Sequence, residues 1–219
     1  MPLSDPEPEA CHKCNGWGWV RYNVQVDHPQ FGKVVPCPVC QTKERENMDW
    51  FKGIQIPDQR YQRAVTLARE MATSPHNWLV LTGPPGVGKT MLAKAILSHW
   101  RGKETNPQTT AEMLALWRSG INDPAFEEKF QALCQAGAWV IDDLGSEGNV
   151  TPWVLEKLTM FLNWRYRDQL PTVITTNCDE NLLAKQLDDR IADRVFDRNT
   201  GFVRIVSLDV PSYRTGKQW

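Results

Sequence analysis

The sequence predicts an α/β fold in which a central parallel sheet is flanked by helices and preceded by a small zinc-ribbon-like domain. Three observations carry that expectation. An apolar run beginning at Trp78 leads straight into G-x-x-x-x-G-K-T and out into an apolar-periodic helix, the strand, loop and helix order of a parallel βα unit. A second apolar run, 138–141, ends in Asp142 and Asp143, and parallel sheets carry their ligand-handling residues at the carboxyl ends of strands. Near the N-terminus stand two C-x2-C pairs, a metal-knuckle spacing. The expected organisation is a zinc-binding ribbon over 1–44, a linker over 45–57 and a nucleotide-handling core over 58–219.

Composition bounds this scheme. With 219 residues, 41% hydrophobic and 23% charged, the chain is long enough for one sizeable core and a small appendage. No apolar run approaches the ~18 residues that cross a bilayer, and the opening "MPLSDPEPEA" is acidic and proline-rich where a secretory signal would be basic and then apolar. A cytoplasmic protein with no membrane partner is expected. The formal net charge of −1 means that any contact with nucleic acid must come from a local patch. Of ten tryptophans, Trp78, Trp139, Trp153 and Trp164 sit among apolar neighbours and are expected in the core.

In the ribbon, "CHKC" and "CPVC" present Cys11, Cys14, Cys37 and Cys40. Two residues between ligands let a tight turn aim both thiolates at one ion, and two such turns complete a closed tetrahedron at ~2.3 Å Zn–S distances. A closed four-thiolate site leaves no position for water, so zinc here is expected to be structural, replacing the core that so short a segment cannot build. His12 and His28 are the rival ligands. Between the knuckles, "GWGWVRYNVQV" and "GKVVPC" alternate like two short strands, with Gly16 and Gly18 easing the backbone. Trp17, Trp19, Tyr22 and Phe31 either form a recognition surface or cover the hairpin. Cys134 and Cys178 lack partners in the pattern and are expected to be buried as small apolar residues.

After the charged linker breaks at Pro57, "DQRYQRAVTLAREMA" reads as a helix with Tyr61, Val65, Ala68 and Ala72 on one face. The phosphate loop follows, comprising Gly83, Pro84, Pro85, Gly86, Val87, Gly88, Lys89 and Thr90, with Met91 next on the helix. Its glycines allow the backbone N–H groups to turn inward around phosphate oxygens, and the helix points its positive end at them. Lys89 supplies a mobile charge to the β- and γ-phosphates, and the Thr90 hydroxyl can ligate Mg²⁺. ATP is expected over GTP because no N-K-x-D guanine signature is present; "TTNCDE" lacks the lysine.

At the end of "AWVIDDLG", Asp142 is expected to hold Mg²⁺ through water and Asp143 to polarise the attacking water. The amphipathic "PWVLEKLTMFLNWRYRDQ" leads to a third strand, "PTVITTN". Asn177 at its end could bond the attacking water or the γ-phosphate, or instead cap the helix "DENLLAKQL", a task open equally to Asp179. In "LDDRIADRVFDR", Arg190, Arg194 and Arg198 recur every four residues, so a continuous helix would stack three like charges on one face. Either Asp193 and Asp197 neutralise them, or an arginine reaches something anionic.

Together, "GPPGVGKT", "VIDDLG", "VITTN" and "DDRIADRV…SYR" resemble the AAA+ ATPases of the DnaC/DnaI/IstB group, over about residues 57–216. The resemblance implies a AAA+ P-loop core, ATP and Mg²⁺ as ligands, slow hydrolysis, and nucleotide held between neighbouring subunits of a homo-oligomer. It implies that an arginine near the C-terminus reaches the next subunit's phosphate, a position matched best by Arg194 and next by Arg190. Arg214 in "PSYR" then matches the arginine acting on its own subunit's nucleotide, alongside Gly83, Gly86, Gly88, Lys89, Thr90 and Asp142. The implied function is loading of a replicative DNA helicase, with single-stranded DNA as a further partner. The alternatives are an IstB-like DNA-binding ATPase that recruits a transposase, and a low-turnover ATP-gated adaptor. Three departures stand out. The polar "GKETNPQTT" occupies the place of the group's second apolar strand, a zinc ribbon stands where loaders carry a helicase-binding helical segment, and no helical lid is expected after "SYR". Arg214 is therefore expected to lean on the sheet edge at "FVRIVSL".

Overall fold

The structure, a computed structural model, describes residues 11, 13–14, 19–22, 24–25, 28, 34–39, 49–54, 58–102, 106–146 and 150–215. Cys40, His12, Trp17, Phe31, Gly16, Gly18 and Pro57, all singled out in the sequence, lie outside them. Toward the N-terminus, β1 (Trp19–Arg21) and β2 (Val34–Pro36) pair antiparallel, with Val20 opposite Val35. The main sheet comprises β3 (Trp78–Thr82), β4 (Trp139–Leu144), β5 (Thr172–Thr176) and β6 (Val203–Ser207). Their spatial order is β4-β5-β3-β6, and every pairing is parallel.

Alternation along the strands divides the core in two. Leu79, Leu81, Val140, Val173 and Val206 face α1 (Gln59–Thr73) and α2 (Lys89–Arg101). Trp78, Val80, Ile141, Ile174 and Val203 face the other layer. That layer holds α3 (Thr110–Ser119), α4 (Phe126–Cys134), α5 (Pro152–Arg167), α6 (Glu180–Gln186) and α7 (Asp189–Val195). With both faces covered, the strands read as near-continuous apolar runs, as parallel sheets require. Trp78 and Trp139 are buried as expected, as are Cys134 and Cys178, and burial pushes the Cys134 thiol up to about 11.

Capping explains most helix starts. Thr109 and Glu112 form a reciprocal capping box, Thr151 accepts from Val154 with Pro152 in the first turn, and Asp58, Asp179 and Asp188 cap α1, α6 and α7. Helix α4 carries no side-chain cap at Ala125, and Glu127 and Glu128 in its first turn mark its start instead; Phe130 and Cys134 hold it by burial.

The polar stretch "GKETNPQTT" makes no strand among the described residues. Only an isolated parallel bridge joins Thr109 to Asp142, with the Asp142 N–H donating to Gln108 O at 3.1 Å, before α3 begins at Thr110. On α1 the buried face is Tyr61, Ala64, Ala68, Met71 and Ala72, with Val65 only partly covered.

The arginine row departs from expectation. Helix α7 ends at Val195, so Arg198 leaves the helical face and pairs with Glu180 at 3.0 Å. Arg190 is held by the N-cap, Asp188, at 3.1 and 3.2 Å. Asp197 receives the Tyr166 and Thr200 hydroxyls instead of an arginine. Neutralisation by Asp193 and Asp197, one of the two readings open from the sequence, gives way to carboxylates fixed by the helix starts: Asp188 caps α7, and Glu180 stands in the first turn of α6.

Beneath the sheet, Arg165 of α5 is wholly buried. Its guanidinium donates to Ala136 O and Pro171 O at 2.8 Å, Gly137 O at 3.4 Å and the Thr172 hydroxyl at 2.9 Å. It thereby ties the turns that start β4 and β5.

Candidate nucleotide site

The phosphate loop closes β3 and opens α2, and its conformation depends on missing side chains. Gly86 (φ +84°) has Ser212 Oγ 2.3 Å from where a Cβ would stand, and at Gly88 (φ +95°) the same position lies 2.5 Å from the Tyr61 hydroxyl. Any larger residue at either position would be strained and obstructed at once. The loop is braced from outside: Tyr213 N–H donates to Gly86 O at 3.0 Å, and the Tyr61 hydroxyl donates to Gly88 O at 3.4 Å. The tail "PSYR" thus lies against the loop, with Leu208 N–H donating to Thr82 O at 2.8 Å as β6 leaves the sheet. Arg214 is carried there, exposed, and its charge is felt at Lys89. The support comes from the loop side, through Ser212 and Tyr213, where the sequence suggested the sheet edge at "FVRIVSL".

Lys89 is buried at 6% exposure and donates to Gly83 O at 2.6 Å and Pro84 O at 2.8 Å. Burial lowers its pKa to about 8, while the charges of Asp143 and Asp142 pull it back upward. A triphosphate would replace those two carbonyls with full negative charge and hold the proton. Below pH 8 Lys89 is protonated with or without ligand; above it, the free protein must take up a proton as ATP binds. ATP affinity is therefore expected to be flat below pH 8 and to weaken by up to about tenfold per unit above it. Calorimetry at pH 7 and 9, in buffers of different ionisation heat, measures both the affinity and the proton; equal affinities with no proton uptake would contradict the account.

Around the end of β4, the Thr90 hydroxyl donates to both Asp142 oxygens, at 3.0 and 3.1 Å, and the Thr175 hydroxyl donates to Oδ1 at 2.6 Å. Burial raises the Asp142 pKa, with the Thr175 and Thr90 bonds acting against it. The β4–β5 register slips between Ile141 and Leu144, a bulge centred on the two aspartates. Asp143 sits within it at φ +59°, a conformation in which few non-glycine residues are found. Its N–H donates to Thr175 Oγ1 at 2.8 Å, and its carboxylate receives the Asn177 amide at 2.7 Å. The bulge lets neighbouring aspartates of one strand serve the same site, where a regular strand would aim them at opposite faces. Asn177 is free for this contact because Asp179 caps α6, accepting Leu182 N–H at 2.8 Å.

Lys89, Thr90, Asp142, Asp143, Asn177 and Arg214 are thus gathered at the carboxyl end of the sheet. Arg194 is not among them: its Nη1 donates to Arg190 O at 2.7 Å, and it has no carboxylate partner among the described residues. Thr175, Ser212 and Tyr61 were missed from sequence. Thr175 had one signal, a polar pair ending an apolar strand; Thr175 and Thr176 are both buried.

Cys11, Cys14 and Cys37 place their sulfurs within 4.8 Å of one another. The Cys11–Cys37 separation, 3.8 Å, matches the edge of about 3.8 Å expected for a tetrahedron with ~2.3 Å Zn–S bonds. Backbone N–H groups of Cys14 and Lys13 lower the Cys11 thiol to about 6, favouring the thiolate that ligates metal. Arg21 of β1 lies 3.6 Å from Asp168 at the end of α5, which anchors the hairpin near the amino ends of β4 and β5, away from the phosphate loop.

The family profile described as "IstB-like ATP binding protein" matches residues 40–218. No curated protein matches the chain. Among solved structures, the DnaC helicase loader is 22% identical with a TM-score of 0.59, over 76% of this chain and 99% of that one. DnaI is 22% identical with a TM-score of 0.56, over 77% and 94%. AMPPCP-bound DnaA from Aquifex aeolicus is 15% identical with a TM-score of 0.57, over 74% and 51%. These likenesses establish the fold.

Proposed function

The chain belongs to the IstB-like ATP-binding family, and from the premise that it is a AAA+ ATPase we propose that it loads a replicative DNA helicase onto single-stranded DNA, assembling through ATP-bridged contacts between copies. The observation that carries the reading is a site complete but for one group. Lys89, Thr90, Asp142, Asp143 and Asn177 converge, while Arg194, with no carboxylate partner among the described residues, stands apart on its own helix, bonded to Arg190 O. On this reading the guanidinium serves the phosphate held by another copy, and its planar fork suits bidentate contact.

The loop of residues 83–91, through its backbone N–H groups other than at Pro84 and Pro85, and Lys89 hold the phosphates, with Arg214 approaching from the braced tail. The Thr90 hydroxyl and the Asp142 carboxylate, already in contact, form a donor pair suited to Mg²⁺, which when bound neutralises charge on the β- and γ-oxygens. Asp143 accepts a proton from the attacking water, and the Asn177 amide, which bonds the Asp143 carboxylate, is placed beside it to bond that water or the γ-phosphate. Arg194 of a neighbour stabilises the charge that develops on transfer. The full extent of the DnaC likeness, 99% of that chain, supports the loader reading.

The test is reconstitution. With ATP, the protein is expected to associate with a replicative helicase and raise the helicase's occupancy of single-stranded DNA. Coating of duplex DNA with a steep salt dependence and no helicase contact would instead favour transposase recruitment, the reading that the family description itself favours.

Residues 1–44 are proposed as a structural zinc domain with Cys40 as the fourth ligand. Cys14→Ser is expected to reduce bound zinc from one equivalent per chain and leave ATP affinity unchanged, because the hairpin's anchor lies at the other end of the sheet. Elemental analysis alongside nucleotide titration measures both; retention of full zinc would remove Cys14 from the ligand set.

A further inference from the structure

Gln186 belongs to none of the recognised motifs, yet it stands where three functional elements meet. Its side-chain oxygen receives the Cys178 thiol at 2.9 Å, and Cys178 follows Asn177 directly. The thiol also lies 3.8 Å from Gly145 O, at the turn that leaves β4 after the two aspartates. Cys178 O accepts the Thr82 hydroxyl at 2.9 Å, one residue before the phosphate loop. Gly145 (φ +87°) has no room for a side chain: a Cβ would stand 2.8 Å from Leu183 Cδ1, 2.9 Å from Cys178 Sγ and 3.2 Å from Gln186 Oε1.

Helix α6 is therefore seated on the turn between the hydrolytic aspartates and the sensing asparagine, and α6 continues through Leu187 into α7, which bears Arg194. Leu183, Leu187, Ile191 and Val195 pack both helices against one core, so where α6 rests bears on where α7 rests. Apolar packing alone permits sliding; a directional bond at the end of α6 sets where the pair comes to rest.

We propose that Gln186 is a positioning residue for Arg194: its bond to Cys178 over Gly145 registers the α6–α7 pair against the strand ends of the subunit's own site, and so sets where the guanidinium is offered to the neighbour. The inference rests on the assignment of Arg194 as the trans-acting arginine. It assigns Gln186 no contact with nucleotide.

Mixed assemblies of full-length chains test it. Arg194→Ala subunits hold ATP without offering the arginine, and Lys89→Ala subunits offer it with impaired nucleotide binding, so hydrolysis in the mixture reports the arginine in trans. Gln186→Leu is suited to the purpose because Gln186 is exposed and leucine is a good helix former. Placed in the Lys89→Ala donor, Gln186→Leu is expected to lower the mixture's kcat by about fivefold or more, with KM for ATP unchanged. Placed in the Arg194→Ala acceptor, it is expected to leave both unchanged. Gln186→Glu in the donor, which keeps an acceptor oxygen of the same reach, is expected to restore most of the rate. A loss confined to the acceptor, or equal in both placements, would show that Gln186 acts on its own subunit's site and overturn the proposal. Undiminished kcat with Gln186→Leu in the donor would also overturn it, leaving Arg194 in its role. No recovery at all in a co-assembled mixture without any change at Gln186 would remove the assignment of Arg194, and the joint with it.

Discussion

Replacing Arg194 with alanine is expected to cut ATP hydrolysis by about 10³-fold or more while ATP affinity is unchanged, the range set by arginines that complete a phosphoryl-transfer site from a neighbour. The split between rate and affinity follows from geometry. The groups that hold phosphate, Lys89 and the loop, belong to one copy and do not touch Arg194. Folding should be spared. Ile191, Ala192 and Val195 anchor α7 by burial, and the substitution removes only an exposed bond to Arg190 O. Wild-type turnover should rise with protein concentration as copies assemble, and the variant should stay near its low rate throughout. Steady-state hydrolysis across a dilution series, with a fluorescent nucleotide for affinity, measures both. Full-rate hydrolysis by Arg194→Ala would pass the role to Arg190, whose guanidinium is already clasped by Asp188 at 3.1 and 3.2 Å.

The second large effect is on stability. Arg165→Ala is expected to destabilise the domain by about 4 kcal/mol, since it strands two buried acceptors, at about 1–3 kcal/mol each when unsatisfied, and two half-buried ones. Three carbonyls and a hydroxyl depend on this guanidinium: Ala136 O, Gly137 O, Pro171 O and the Thr172 Oγ1. They mark the turns from which β4 and β5 start, so the loss acts on the starts of two paired strands at once. The arrangement carries its own penalty, because burial pulls the guanidinium down to about 9. Aromatic faces offset part of it, with Phe161 at 5.5 Å and Trp139 at 6.0 Å from the guanidinium carbon. At about 2–4 °C per kcal/mol for a domain of this size, Tm should fall by roughly 10 °C. Thermal and urea denaturation measure it, and a change under about 1 kcal/mol would mean that water serves those carbonyls in the variant. Arg165→Met should fare little better than alanine, since it restores volume and no donors.

Much of the nucleotide site was legible because its parts are local. A glycine-rich loop between an apolar strand and an apolar-periodic helix can be recognised from neighbours in sequence, and Lys89 and Thr90 take their places by spacing alone. Apolar runs ending in Asp142–Asp143 and in Asn177 likewise revealed strand ends. Thr175 was harder, because its hydroxyl serves a carboxylate 33 residues away and a threonine in a β-strand needs no special reason to be there. The partners of the arginine row were hard to read for a related cause. Period-four spacing predicts a shared face only while the helix lasts, and the ends of α7 depend on its Asp188 cap and on burial of Val195 and Phe196 against the core.

The sequence by itself determined the class of chemistry: an α/β core with a phosphate loop, a pair of acids at a strand end, and cysteines at metal-ligand spacing, all patterns that act over a few residues. Only the tertiary structure decided that the β4 bulge brings both acids to one site, that the tail at Ser212 and Tyr213 braces the loop, and that Asp188 occupies Arg190 while Arg194 has no carboxylate among the described residues. Those outcomes turn on contacts between residues far apart in the chain. Hydrogen bonds at such range depend on which faces are buried together, and burial is settled by the packing of the whole domain.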